Sequence, residues 1–90
     1  MPRYLVERTF EAGLAIPINE EGIKGVESVV DVNRAQGVTW VHSYVSVDKA
    51  KTYCVYDAAN PETIRAVAEK NGLPVDSIVE VRVLDPYFYR

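Results

Sequence analysis

"VTWVHSYVSVDKAKTYCVYD", residues 38–57, is the stretch that decides the fold. Residues 38–47 are dense in β-branched and aromatic side chains, and "TYCVYD" (52–57) is a second such run. Between them "DKAK" (48–51) makes a short polar turn, so the stretch predicts an antiparallel hairpin. Helical signals flank it on both sides. Upstream, Ile23, Val26, Val30 and Asn33 recur at helical spacing, and Val29 and Val32 widen that stripe. Asn19 is placed to cap this helix of about 17 residues. Glu20 and Glu21 fall in its first turn, where the helix dipole favours anions, and Gly37 is placed to end it. Downstream, "NPET" sets Asn60 at an N-cap and Pro61 at the first helical position. Ile64, Val67 and Ala68 form the buried stripe there, while Glu62, Arg65 and Glu69 face water. Asn71-Gly72 closes the helix and Pro74 keeps it from resuming.

Two outer strands complete the pattern. "RYLVERTF" (3–10) reads as the first, followed by the irregular "EAGLAIPIN", in which Gly13 and Pro17 are breakers. "SIVEVRVL" (77–84) alternates as the last and is stopped by Asp85-Pro86. The order β-α-β-β-α-β, with one central hairpin and two crossover helices, is the split βαβ or ferredoxin-like plan of the α+β class. Right-handed crossovers place both helices on one face of an antiparallel sheet of strand order 4-1-3-2. Ninety residues leave room for one domain, spanning 1–90.

Composition narrows the function. The net charge of −3, without any Lys/Arg cluster, argues against nucleic acid, whose binding rests on phosphate neutralisation. No apolar run approaches the roughly 20 residues needed to span a bilayer, and "MPRYLVERTF" has no apolar signal core. A single cysteine, Cys54, excludes an intramolecular disulfide and fits a reducing cytoplasm. No phosphate-binding glycine motif and no nucleophile elbow occurs, and no residue is assigned a catalytic role.

Strict alternation assigns Leu5, Val41, Val45, Cys54, Tyr56, Val79, Val81 and Val83 to the helix-covered side. The other side then carries Tyr4, Val6, Arg8, Trp40, His42, Tyr44, Tyr53, Val55, Glu80 and Arg82. So aromatic a face is expected to be covered, and a second copy of the chain is the expected cover. His42 is the only histidine. Its plainest role is a hydrogen-bonded residue at that interface; its functional role is that of a metal ligand, for which neutral imidazole is suited, or a general base. With one histidine and one cysteine, a closed zinc site is out of reach. The remaining ligands would be carboxylates, water or partner residues, a set suited to an octahedral ion such as nickel.

Glu80 joins His42 only conditionally. The two occupy opposite edges of the sheet, three strand spacings of about 4.8 Å apart, so only face-to-face packing of two copies brings them together. Glu7 is a further metal candidate, on the helix side by strict alternation unless a bulge redirects it. Arg8 is expected to pair with Glu80. Cys54 reads as a small buried hydrophobe, and no Cys-His dyad is expected because His42 points to the other face. An alternative to metal binding uses Trp40, Tyr44 and Tyr53 with His42 as an apolar pocket for a small molecule, as in dimeric α+β barrel enzymes and binders.

The segments "YLVERTF", "VTWVHSYVS", "DKAKTYCVYDA", "NPETIRAVAEKNGLPVD" and "VEVRVLDPYF" together resemble a small actinobacterial family of domains of unknown function, over nearly the whole chain. One member of that family is a nickel-binding protein of ferredoxin-like fold. The resemblance implies a dimeric ferredoxin-like protein and suggests nickel binding; the leading expectation is a cytoplasmic metal-binding protein acting in sequestration or homeostasis and without catalysis. His42, inside the matching "WVHSYV", is the position it carries first.

Overall fold

Six elements follow in the expected order: β1 (Arg3–Thr9), α1 (Glu20–Ala35), β2 (Thr39–Val45), β3 (Lys51–Asp57), α2 (Pro61–Asn71) and β4 (Ser77–Val81). The computed structural model describes residues 1–14 and 20–87, with Glu21 described by its backbone alone. Pro17, the cap expected at Asn19 and the tail from Phe88 lie outside the described residues. The four strands are antiparallel in the order β2-β3-β1-β4, which is 4-1-3-2 read from the other edge. Val32 of α1 and Ile64 and Val67 of α2 join one cluster with Tyr4, Val6, Cys54 and Tyr56. Both helices therefore cover the same side of the sheet, an α+β arrangement that fits the ferredoxin-like plan broadly.

Local chemistry explains where the elements stop. At α2, the Asn60 side chain accepts a hydrogen bond from the Thr63 N–H at 2.9 Å, and Pro61 needs no partner in the first turn. Gly72 closes the helix at φ +67°, with its N–H on the Glu69 carbonyl and the Leu73 N–H on that of Ala68. Gly37 ends α1 in the same way at φ +73°, with the Val38 N–H on the Asn33 carbonyl. In the hairpin, the Asp48 carboxylate accepts from the Ser46 hydroxyl and the Ala50 N–H, which fixes the turn. β4 stops at Val81 rather than Leu84 because its only neighbour, β1, begins at Arg3, directly opposite Val81.

The face assignment differs from strict alternation in three of four strands. Directly opposed residues of an antiparallel pair share a face. Tyr4 opposes Tyr56, Val6 opposes Cys54 and Arg8 opposes Thr52, and all six are buried. β1 thus turns Tyr4, Val6 and Arg8 toward the helices and Leu5 and Glu7 away. β4 follows it, with Ile78 opposite Val6 inward and Val79 opposite Leu5 outward. In β2 a bulge lies between Trp40 and His42. Trp40 opposes Tyr56 and packs on the core, whereas His42 opposes Val55 on the other side. Val41 is taken up by the bulge, and Ser43 and Val45 continue the inward set. Only β3, with Cys54 and Tyr56 inward, keeps the parity read from alternation.

Helix α1 is also rotated from its expected orientation. Ile23 is 60% exposed, while Gly22 and Asn33 are buried, so the face toward the sheet runs through Gly22, Val26, Val29 and Asn33. That face is short of side-chain volume in its first turns.

Candidate functional site

The helix-free side of the sheet holds four of the expected site residues: His42, Glu7, Tyr44 and Tyr53. His42, Val55, Leu5 and Val79 form one row across the strands, and Tyr44, Tyr53, Glu7 and Ser77 form the next. The His42 and Tyr44 rings meet edge-on, with centroids 5.1 Å apart and planes at 88°. Tyr44 is 63% and Val79 53% exposed, so apolar surface is open to solvent here. Val55, between His42 and Leu5 in that row, is buried although it lies outside the core cluster. At one end of the face Arg3 holds Asp57 through Nε and Nη2 at 2.8 and 3.1 Å. The hydrogen bond from Arg3 lowers the Asp57 carboxyl below its ordinary value of 3.8.

Glu7 lies on this face without any bulge in β1, because the whole strand has the opposite parity. Its carboxylate stands 3.6 Å from the Lys51 ammonium. β3 separates it from His42, a gap of two strand spacings, about 10 Å. Glu80 opposes the inward-facing Tyr4, so the sheet itself as well as its width divides Glu80 from His42. The expected pairing of Arg8 with Glu80 is absent for a different reason, the register: Glu80 opposes Tyr4, four residues from Arg8 along β1, and β4 meets β1 only as far as Glu7. Trp40 leaves the aromatic set for the other side. Tyr44 and Tyr53 remain.

No group of three or more His, Cys, Asp or Glu side chains comes together among the described residues. One chain therefore does not furnish a closed ligand set. Cys54 is buried and free, and it opposes Ser43 rather than His42, so the two do not form a dyad.

On the helix side the structure shows a feature that alternation missed. A cavity of about 330 Å³ opens between α1 and the sheet. Its sheet wall includes Arg8, Trp40, Thr52, Cys54 and Tyr56, and its helix wall Gly22, Gly25, Val26 and Val29. Among the described residues, nothing lies within 4 Å of the Cβ position at Gly25. Gly22 and Gly25 put no side chain into this space. Most of its polar groups are already engaged. The Trp40 indole N–H donates to the Ser43 hydroxyl at 2.8 Å, and the Cys54 thiol donates to Thr52 Oγ1 at 3.6 Å. Burial pushes the Tyr56 hydroxyl up to about 12, which keeps it neutral. Arg8 is different. It is 2% exposed, stacks with its Cζ 5.6 Å from the Tyr56 ring centre, and its Nε and Nη1 have no hydrogen-bond partner among the described residues. The sequence signal for this site was a charge inside a central strand together with glycines at 22 and 25 on one helix face.

A small α+β domain with one open sheet face and a cavity under its first helix is the class that these observations define. The family model for nickel responsive proteins of the SCO4226-like type matches residues 4–81, and the chain belongs to that family. Among solved structures, the crystal structure of SCO4226 from Streptomyces coelicolor A3(2) is similar, with a TM-score of 0.69 at 16% identity. The match covers 90% of this chain and 96% of that one, and at such identity it speaks for the fold. A comparison with curated proteins finds no significant match. Among the described residues, no helix is long and apolar enough to cross a membrane.

Proposed function

We propose that this protein is a cytoplasmic nickel-binding protein serving sequestration or homeostasis, working as a homodimer joined through the open sheet face. The observation that carries the reading is His42, the sole imidazole, standing on an exposed apolar face beside Tyr44 in a member of a nickel responsive family. Because the described residues of one chain gather no three ligands, the ion is shared between two copies. A two-fold interface repeats each residue, so it supplies two imidazoles from His42 and two carboxylates from Glu7. Water completes the octahedral preference of such a mixed nitrogen and oxygen set. Glu80, on the other side of the sheet, is not part of it. Exposed Tyr44 and Val79 give the interface its apolar surface, since patches of this kind on small domains mark association sites.

Untagged protein is the material for the test. Metal analysis, titration calorimetry and solution mass are measured on the wild type, His42→Ala and Glu7→Gln. The expected result is a dimer that binds nickel, with affinity reduced at least about tenfold in His42→Ala. Unchanged nickel affinity in His42→Ala refutes the ligand assignment, and a monomer that binds nickel as tightly refutes the shared site.

A further inference from the structure

We propose that the cavity between α1 and the sheet is a binding site for a small apolar monocarboxylate, whose head group pairs with Arg8. The inference is independent of nickel and of the open face, because the cavity lies on the opposite side of the sheet.

Three features of the cavity agree on this ligand. First, a guanidinium that is 2% exposed keeps Nε and Nη1 without a hydrogen-bond partner among the described residues, with only the Tyr56 side chain against it. Buried charges are normally paired, and no carboxylate of the chain is within reach as a salt-bridge partner among the described residues. An anion entering the cavity supplies the missing acceptor. Second, the rest of the wall is apolar or already hydrogen-bonded within itself: Trp40 with Ser43, Cys54 with Thr52, and a neutral Tyr56. One cation and few spare donors match a single negative charge. A phosphate dianion would need more donors than the site has. Third, the volume of about 330 Å³ lies at the lower end of ligand sites. It suits a medium-length alkyl chain or one aromatic ring, with Val26, Val29 and the Trp40 ring against the apolar body. Val45, which is 48% exposed, and the exposed Gly25 also line the cavity, so it reaches the surface at that edge.

The protein carries its own reporter, since Trp40 is the sole tryptophan and lies in the wall. Decanoate, with decanol as the uncharged control, is titrated into the full chain below the aggregation concentration of either, with Trp40 fluorescence and thermal midpoint as readouts. The expected result is a saturable fluorescence change and a raised midpoint with decanoate. Decanol should bind at least about tenfold more weakly, the equivalent of one charge-assisted hydrogen bond. Arg8→Met should bind both with similar affinity. Val29→Phe, which pushes a ring into the cavity, should bind neither. The proposal is overturned by the absence of saturable decanoate binding, by equal affinity of the wild type for decanoate and decanol, or by wild-type decanoate affinity in either variant. If Val29→Phe does not fold, the decanoate-to-decanol ratio of Arg8→Met against wild type decides alone.

Discussion

Replacing Arg8 by methionine should make the ligand-free protein more stable, against the usual effect of changing a buried residue. Each buried donor left without a partner costs about 1–3 kcal/mol, and a charged one more. With Nε and Nη1 both unpartnered among the described residues, the folded state carries a penalty of about 2–6 kcal/mol that methionine removes. Two losses offset it. The guanidinium stacks on Tyr56 with Cζ 5.6 Å from the ring centre, a contact of about 1–2 kcal/mol when desolvated. Methionine keeps the packing of the aliphatic stem but leaves the space of the guanidinium partly empty. The balance favours the variant by about 1–3 kcal/mol, in the range found when buried charged groups give way to apolar ones. For a domain of this size each kcal/mol moves the thermal midpoint by about 4–8 °C, so the midpoint should rise by about 4–24 °C. Urea unfolding followed by circular dichroism, together with thermal melts, measures it, with an unchanged m-value confirming that the folded state is intact. A midpoint equal to or below that of the wild type refutes the reasoning, because the guanidinium would then be satisfied in the fold.

Ile64→Ala empties a site that is 2% exposed between α2 and the sheet and should cost about 2–4 kcal/mol in urea unfolding. Asn60→Ala removes the acceptor for the Thr63 N–H and hydroxyl and should cost about 1 kcal/mol, whereas Asn60→Ser should restore most of it. Asp57 has a folded-state pKa below its ordinary 3.8, so its pairing with Arg3 stabilises the protein above that value and the contribution is lost as pH falls through the folded-state pKa. The stability gap between wild type and Asp57→Asn should therefore be full at neutral pH and shrink on acidification. A gap that does not change with pH would show that the pair contributes nothing specific to the charged carboxylate.

Much of the fold is legible locally. The Asn60-Pro61 start and Gly72 stop of α2 read directly, because caps involve residues three or four apart and need no tertiary partner. The hairpin at 39–57 reads for the same reason, since its turn is closed by Asp48 and its neighbours. The β-α-β-β-α-β order then leaves few topologies, and the order 4-1-3-2 follows from the handedness of crossovers.

The sides of the sheet were another matter. β1 has apolar residues at both parities, Tyr4 and Val6 against Leu5, so alternation alone leaves its orientation open. Arg8 biases that reading toward the wrong side, because a charge is expected to face out. The bulge between Trp40 and His42 is invisible in sequence, yet it sends two residues of one apparent stripe to opposite faces. Of the candidate site, His42, Tyr44 and Tyr53 were recognisable together, since they lie beyond the bulge or on β3, where parity holds. Glu80 and Trp40 were not, since pairing with Tyr4 and Tyr56 decides their side. The sequence by itself determined the elements, their caps and their order, all set by near neighbours. Only the tertiary structure decided which residues share a face, and that Arg8 lies buried beneath a helix whose glycines leave room above it. Strand register and helix rotation are long-range choices, made by the packing of Val6, Cys54, Tyr56 and Ile64 into one core.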